Sequence, residues 1–202
     1  MLDNNFKLPE LGDQLFIEGK DWFNNACLNY LKDNWDLYIM GYKLAGDKLV
    51  EYIVKKNVDQ DFLVFPIVFL YRHHIELQLK IIIREGNKLL GIEEDFESIH
   101  KLDKLWTKAS SIIKKVWPKI GSNIFIAVSN YIFQFNNIDP KSFSFRYPED
   151  KERNKNLNGL EKLNIRNFSE VINKLANFLE GCSYGISVYL ETKREMESEY
   201  RE

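Results

Sequence analysis

The chain has 202 residues and a net charge of −2, with 45% hydrophobic, 29% charged and 14% aromatic residues. This length is sufficient for one substantial core, and the composition is that of an ordinary globular protein. The weakly acidic balance argues against a protein held to nucleic acid by its overall charge, although a local basic groove stays compatible with it. We therefore expect a single helical domain over residues 1–202, with its helical core at about residues 21–190.

The cysteines and apolar runs indicate the compartment. Cys27 and Cys182 are far apart and have no paired spacing, which excludes a disulfide framework or a zinc-ligand pattern. The N-terminal residues lack the basic patch and apolar run of a signal peptide. Residues 62–71, the most apolar run, have about half the length of a membrane span. We expect a soluble, cytoplasmic protein with reduced thiols and no membrane association.

Helical periodicity dominates the first half of the chain. Apolar residues recur at helical spacing in residues 21–33 and again in residues 35–56, which predicts two helices. A third helix is expected to have Asp61 as its N-cap, to carry Pro66 near its start and to end around Gly86.

The second half of the chain carries three more helical patterns. The spacing predicts helices over about residues 101–116 and 122–135, and a last helix that begins with Asn167 as cap and runs past Tyr189. Residues 136–164, between the last two, are polar and interrupted by Pro and Gly, so they are expected to form a long irregular loop. The fold class is therefore predicted to be all-α, an antiparallel bundle of about six helices.

The third helix combines an apolar surface with a line of charges. It is apolar on almost every side, yet Arg72, Glu76 and Lys80 fall at i, i+4 and i+8 and form one stripe, with His73 beside it. Buried charges cost several kcal/mol each unless they are paired or face a cavity. The stripe is thus either a structural ion network or the wall of a polar cleft for an anion, a nucleotide or RNA.

Two other segments supply candidate site residues. His100 lies at the start of a predicted helix with Asp103 three residues later, which fits either a helix-start contact or a role in proton transfer. The long loop offers Arg146, Tyr147 and Asp150, and its Arg-Tyr-Pro turn is flanked by aromatic residues that favour burial, so this turn is expected to be held in place. Arg72, His73, Glu76 and His100 are the catalytic candidates. The ligand-binding candidates are Lys80, Asp103, Arg146, Tyr147 and Asp150.

Several common cofactor and metal motifs are absent from the sequence. It has no His-Glu-x-x-His zinc motif, no phosphate-binding Gly loop, no dinucleotide-binding Gly pattern and no Gly-x-Ser-x-Gly elbow. His73 and His74 are adjacent, so on a helix they diverge and do not readily hold one metal ion. We expect neither a cofactor nor a metal site.

Four segments in chain order carry a resemblance to a known superfamily: "GYKLAGDKLV", "FPIVFLYRHHIELQLK", "HKLDKLW" and "FRYPED" ahead of the final helix. Their order is similar to that of HEPN-type (higher eukaryotes and prokaryotes nucleotide-binding) helical bundles, which are frequent in bacterial defence and toxin–antitoxin systems. The resemblance covers about residues 35–190. It implies a protein that binds RNA or a nucleotide, an antitoxin or effector partner and, where the site is active, a metal-independent ribonuclease.

The sequence departs from the superfamily at its signature motif. Active members carry an Arg followed about four to six residues later by a His, whereas here Arg72 is too close to His74 and Arg84 too far from His100. If the site is active, Arg72 and Arg146 are expected to hold phosphate while His100 or His73 moves the proton. The alternative is a non-catalytic interaction or dimerisation module in which the charges form a structural network. A homodimer is expected under either interpretation.

Overall fold

The computed structural model describes residues 7–29, 33–93 and 99–199, and the chain divides into two compact units, residues 1–34 and 35–202. In the first unit the described residues form a short 3-10 helix, Trp22–Asn24, within otherwise irregular chain. The α-helix predicted for residues 21–33 is therefore not formed over residues 21–29, and residues 30–32 lie outside the described part. Trp22 and Phe23 are largely exposed, so this segment lacks the packed apolar face from which short helices draw most of their stability.

The second unit is all-α. Its described residues form five α-helices, one fewer than the approximate number predicted because the first predicted helix is not formed. They are α1 (Trp35–Lys56), α2 (Gln60–Leu90), α3 (Leu102–Val116), α4 (Ser122–Ile138) and α5 (Ile165–Glu199). The described residues outside the helices contain one isolated β-bridge, between Glu149 and Lys155, and no strand. None of the helices among the described residues is both long and apolar enough to span a membrane.

Helix α2 is the centre of the unit and packs against α1, α3 and α5, while α4 packs on α3. Its N-cap position is Asp59 rather than Asp61, because Asp59 takes a left-handed backbone conformation and its carbonyl accepts the first hydrogen bonds of the helix. The helix also continues past Gly86 and ends at Gly91, which has the positive φ of 67° that favours glycine.

Gly86 serves close packing rather than helix termination. A Cβ atom at this position would lie 2.3 Å from Cγ2 of Ile112, so the absence of a side chain lets α3 approach α2. The prediction that α2 ends around Gly86 was wrong for this reason. Pro66 is the seventh residue of α2 and lies past its first turn, so the prediction that its missing N–H is harmless at the start of the helix was wrong. At this position proline leaves out one intrahelical hydrogen bond.

Tyr71 joins three helices through its hydroxyl group. The hydroxyl donates a hydrogen bond to Oδ1 of Asp47 on α1 at 2.7 Å and lies 3.1 Å from Oγ of Ser169 on α5. The ring lies against Gly46, where an added Cβ would be 2.8 Å from Cε1 of the ring. Tyr71 is fully buried, so these bonds satisfy a polar group inside the core.

The irregular stretch before the last helix runs from Asp139 to Asn164. The start of α5 differs from the predicted one, because its N-cap is Asn164 instead of Asn167. The side chain of Asn164 accepts a hydrogen bond from the backbone N–H of Asn167 at 3.0 Å. Helix α5 then runs for 35 residues, with its buried side against α2.

Candidate functional site

The charged stripe of α2 is a buried ion cluster centred on Glu76. Because Arg72, Glu76 and Lys80 are four residues apart on one helix, their side chains meet on one face. Nη1 of Arg72 lies 3.2 Å from Oε2 of Glu76, and Nζ of Lys80 lies 2.9 Å from Oε1 of Glu76. The exposed fractions of the three side chains are 0%, 3% and 9%. The stripe is thus paired within the protein and nearly closed to solvent.

His100 lies over this cluster and is its exposed part. Nδ1 of His100 lies 2.8 Å from Oε1 of Glu76, while 67% of the His100 side chain is exposed. Nη2 of Arg72 donates a hydrogen bond to the backbone carbonyl of His100 at 3.1 Å. Glu76 therefore orients the imidazole ring and Arg72 holds the backbone that carries it. Two residues separated by 28 positions in the chain are brought together in this way.

The protonation state of Glu76 follows from its surroundings. Burial raises the pKa of Glu76, but hydrogen bonds with Lys80 and His100 and the positive charges of Lys80 and Arg72 outweigh it and leave the pKa below its ordinary value. An ionised carboxylate only accepts hydrogen bonds, so Nδ1 of His100 carries the proton in this contact. The lone pair of a neutral His100 is then on Nε2, the nitrogen that does not face Glu76.

Asp139 is a fourth member of the ion cluster that the sequence analysis missed. Its Oδ2 lies 3.9 Å from Nε of Arg72, and the residue is 3% exposed. Its Oδ1 accepts hydrogen bonds from the backbone N–H groups of Phe143 at 2.6 Å and Ser144 at 3.0 Å. Asp139 thus joins the cluster to the long loop. The Asp-Pro pair that begins this loop is a turn signal, so the sequence indicates the turn but not the contact of Asp139 with Arg72.

The guanidinium of Arg72 contributes from inside the protein. Burial lowers the pKa of Arg72, and the charges of Asp139 and Glu76 oppose this effect. The side chain exposes no surface, so its contacts are with Glu76, Asp139 and the backbone of His100. Arg72 therefore supports the backbone of His100 from inside the protein.

The two neighbouring histidines of α2 have different environments. His73 packs edge-to-face on Tyr42, with ring centroids 4.4 Å apart, and parallel to Phe69, with centroids 5.9 Å apart. Burial lowers the pKa of His73; the charge of Glu76 opposes this effect, and the positive charges of Lys80 and Arg72 add to it.

His74 is fully buried on another side of α2, with Nδ1 3.0 Å from the carbonyl oxygen of Ile39. Burial lowers its pKa as well. The predicted divergence of His73 and His74 is thus present in the fold.

Asp103 contributes to the start of α3. Its Oδ1 accepts a hydrogen bond from the backbone N–H of Lys104 at 2.8 Å, and its carbonyl accepts one from the hydroxyl of Thr107 at 2.8 Å. The carboxylate that contacts His100 is Glu76 on α2, from a different part of the sequence.

Arg146 and Tyr147 lie on the exposed side of the long loop. Nε of Arg146 donates a hydrogen bond to the carbonyl of Ser142 at 2.5 Å, and the guanidinium lies 5.6 Å from the ring centroid of Phe69. The Tyr147 ring stacks on Phe143 with centroids 4.5 Å apart, and Tyr147 is 50% exposed. Phe69 is one helical turn from Arg72 on α2, so the loop cation stands near the ion cluster.

Asp150 organises the tip of the loop. It accepts hydrogen bonds from the backbone N–H groups of Glu152 and Asn154, both at 2.8 Å, and from the side chain of Asn154 at 3.1 Å. Those bonds lower the pKa of Asp150, with the side-chain bond from Asn154 contributing most. Asp150 therefore supports the shape of the loop and the β-bridge between Glu149 and Lys155.

A cavity of about 540 Å³ opens beside the same loop, which is within the size range of small-molecule sites. Its lining includes Phe65 from α2 and Arg146, Tyr147, Lys155 and Asn156 from the loop.

Among the described residues, no three His, Cys, Asp or Glu side chains gather in a way that could hold a metal ion. The ionisable chemistry is thus divided between the cluster under His100 and the loop.

Comparison with known proteins assigns no relative: no family model, curated protein or solved structure matches the chain.

Proposed function

We propose that this protein binds RNA or a nucleotide at a site centred on His100, and that His100 transfers a proton there. The observation that carries the proposal is the exposed imidazole whose Nδ1 lies 2.8 Å from a buried carboxylate. A carboxylate of this kind fixes the tautomer and orientation of a histidine and leaves Nε2 available to accept a proton. Its own neighbours, Arg72 and Lys80, keep Glu76 ionised.

The proposed relation to HEPN-type proteins supplies the substrate class. The resemblance of the sequence segments points to RNA, and the proximity of Arg72 to His100 supports it because that superfamily uses an Arg and a His. The guanidinium here contacts the backbone carbonyl of His100 and not its imidazole. Here the pair comes from two segments instead of one helix. We propose that the tertiary structure substitutes for the missing sequence spacing, in a bacterial protein of a defence or toxin–antitoxin system with an antitoxin or effector as partner.

The chemistry we propose is metal-independent cleavage of an RNA phosphodiester. Nε2 of His100 accepts the proton of a ribose 2′-hydroxyl, and that oxygen attacks the adjacent phosphorus. The bond from phosphorus to the 5′-oxygen breaks, and the 5′-oxygen takes a proton from water. The hydroxide so formed takes the proton from His100, and a 2′,3′-cyclic phosphate remains. A positioned general base contributes about 10²–10⁴-fold to such a step. Glu76 and Arg72 act as positioning residues, because they contact His100.

A second candidate function is a non-catalytic interaction or dimerisation module. It is favoured by the complete burial of Arg72 among acceptors within the protein, which is the arrangement of a structural network. Helix α1 also exposes large apolar side chains, at Leu37, Tyr38, Met40 and Leu44, each 45–66% exposed. A second copy of the chain is the partner we propose for this face. Light scattering coupled to size exclusion tests it, since a monomeric mass contradicts the dimer.

The decisive experiment for the first candidate uses a uridine–adenosine dinucleotide in the presence of a metal chelator. The wild-type protein is expected to cleave it, and His100→Ala to lose about 10²–10⁴-fold in rate while its thermal melt stays unchanged. Lys115→Ala, at an exposed position near the end of α3, is the control and should cleave at the wild-type rate. Equal cleavage by the wild type and His100→Ala contradicts the proposal, and no cleavage by either favours the interaction module.

A further inference from the structure

Beside the ion cluster, planar side chains from α1, α2 and the long loop follow one another as a row. We call this the planar row; it consists of Tyr42, His73, Phe69, Arg146, Tyr147 and Phe143. The centroid distances of its three ring pairs are 4.4 Å for Tyr42–His73, 5.9 Å for His73–Phe69 and 4.5 Å for Tyr147–Phe143. The guanidinium of Arg146 connects the two halves, 5.6 Å from Phe69 and 5.8 Å from Tyr147.

The row is part of the surface rather than of the core. Arg146 and Tyr147 are exposed and the other four members are half-buried, whereas the core residues of α2 are almost completely enclosed. Exposed aromatic rings interleaved with an arginine are the surface on which proteins stack the unpaired bases of single-stranded nucleic acid. Every base has an aromatic face, so such a surface accepts bases without selecting a sequence.

The row runs beside the site of His100. Phe69 and His73 form one stripe of α2, and Arg72 and Glu76 form another. Each residue of the second stripe is three positions after one of the first, so the two stripes are neighbours on the helix surface. The loop that carries Arg146 and Tyr147 is anchored to the ion cluster by Asp139, through the N–H of Phe143. A strand lying along the row therefore passes close to the imidazole.

Beside the loop part of the row lies the cavity of about 540 Å³. Arg146 and Tyr147 line it together with Phe65, which is 44% exposed, and with Lys155. The loop is held in shape by Asp150 and by the hydrogen bond from the side chain of Asn156 to the carbonyl of Tyr147 at 2.8 Å. A binding surface formed in advance loses less conformational entropy when the ligand arrives.

We propose that the planar row binds the unpaired bases of a single-stranded RNA and guides one of its phosphodiesters to His100, an inference that rests on the proposed function. Double-stranded RNA keeps its bases inside the helix and is not a ligand of this surface. The protein carries a net charge of −2, so stacking supplies most of the affinity.

The test measures binding and cleavage separately. Binding is followed by the fluorescence anisotropy of a labelled oligouridylate of about twelve nucleotides and of a duplex of equal length, a length that spans the site sizes of single-strand binding folds. Tyr147→Ala is expected to weaken binding of the single strand about 5- to 150-fold, the loss that corresponds to one stacked base. Tyr147→Phe keeps the ring and should bind like the wild type. Tyr184→Ala is the matched control, because Tyr184 is a 74% exposed tyrosine on α5.

The outcomes separate this inference from the proposed function. The dinucleotide is too short to need the row, so its cleavage reports on His100 alone. The planar row is overturned if Tyr147→Ala binds oligouridylate like the wild type, or if the wild type binds single strand and duplex equally. Either result counts against the row even where dinucleotide cleavage depends on His100. Weakened binding by Tyr147→Ala with no dinucleotide cleavage by the wild type leaves the row in place and overturns the catalytic proposal.

Discussion

Replacing Arg72 with alanine is expected to destabilise the protein strongly. Arg72 is 0% exposed, and its removal leaves the buried carboxylates of Glu76 and Asp139 without one of their cations. Breaking a buried ion pair from one side costs about 3–5 kcal/mol in the free energy of unfolding. For a chain of 202 residues this corresponds to a fall in Tm of about 6–20 °C.

A second variant separates charge from volume. Arg72→Met keeps most of the buried side-chain volume but supplies no charge for Glu76 or Asp139, so most of the loss should remain. Both variants are measured by urea denaturation followed by far-ultraviolet circular dichroism, because a constant m value shows that stability itself has changed. If Arg72→Met is as stable as the wild type, the cost in Arg72→Ala comes from the cavity and not from the ions.

An exposed ion pair provides the control. Glu51 contacts Lys55 and Lys48 on the surface of α1, and the pKa of Glu51 is lowered to about 2, mainly by the hydrogen bond with Lys55. Solvent and salt screen such a pair, so Glu51→Gln should change the stability little. A loss below about 1 kcal/mol for Arg72→Ala, the range of exposed pairs, refutes the claim that the cluster is a buried network.

Two further predictions concern packing and pH. Gly86→Ala should destabilise the protein by about 1–3 kcal/mol, because the added Cβ would overlap with Ile112. Gly41→Ala lies in open space on α1 and should stabilise the protein by about 0.5–1 kcal/mol. Equal effects of the two variants in thermal melts refute the packing argument. Burial lowers the pKa of His74 from 6.5, so the unfolded chain binds a proton that the folded one does not, and stability should fall as pH drops below about 6.5. The variant His74→Asn should flatten this slope in denaturation curves between about pH 5 and 7, and an unchanged slope contradicts it.

The sequence predicted most helices because their apolar spacing is regular, and it failed where tertiary context decides. Residues 21–29 have the pattern of a helix but bury little apolar surface, so the pattern has nothing to pack against. Gly86 has the composition signal of a helix end, yet the approach of Ile112 gives the glycine a packing role. Neither outcome is contained in the local sequence.

The site was predictable as far as it lies on one helix. The spacing of Arg72, Glu76 and Lys80 correctly predicted that the three side chains share a face. The sequence grouped His100 with Arg72 and Glu76 in one candidate site, but its local pattern favoured Asp103 rather than Glu76 as the direct partner of His100. Asp139 was missed for the same reason, because its contact with Arg72 depends on how the long loop returns to α2.

The charge balance of the cluster explains why stability and activity should separate in this protein. Arg72 and Lys80 are balanced by Glu76 and Asp139, so the buried charges are compensated without any contribution from His100. Replacing the exposed imidazole therefore leaves no buried charge unpaired, whereas replacing any of the four buried groups does. Because the cluster orients His100 without needing it as a counter-ion, replacing the imidazole should leave the fold stable, which is the condition that the proposed test of cleavage requires.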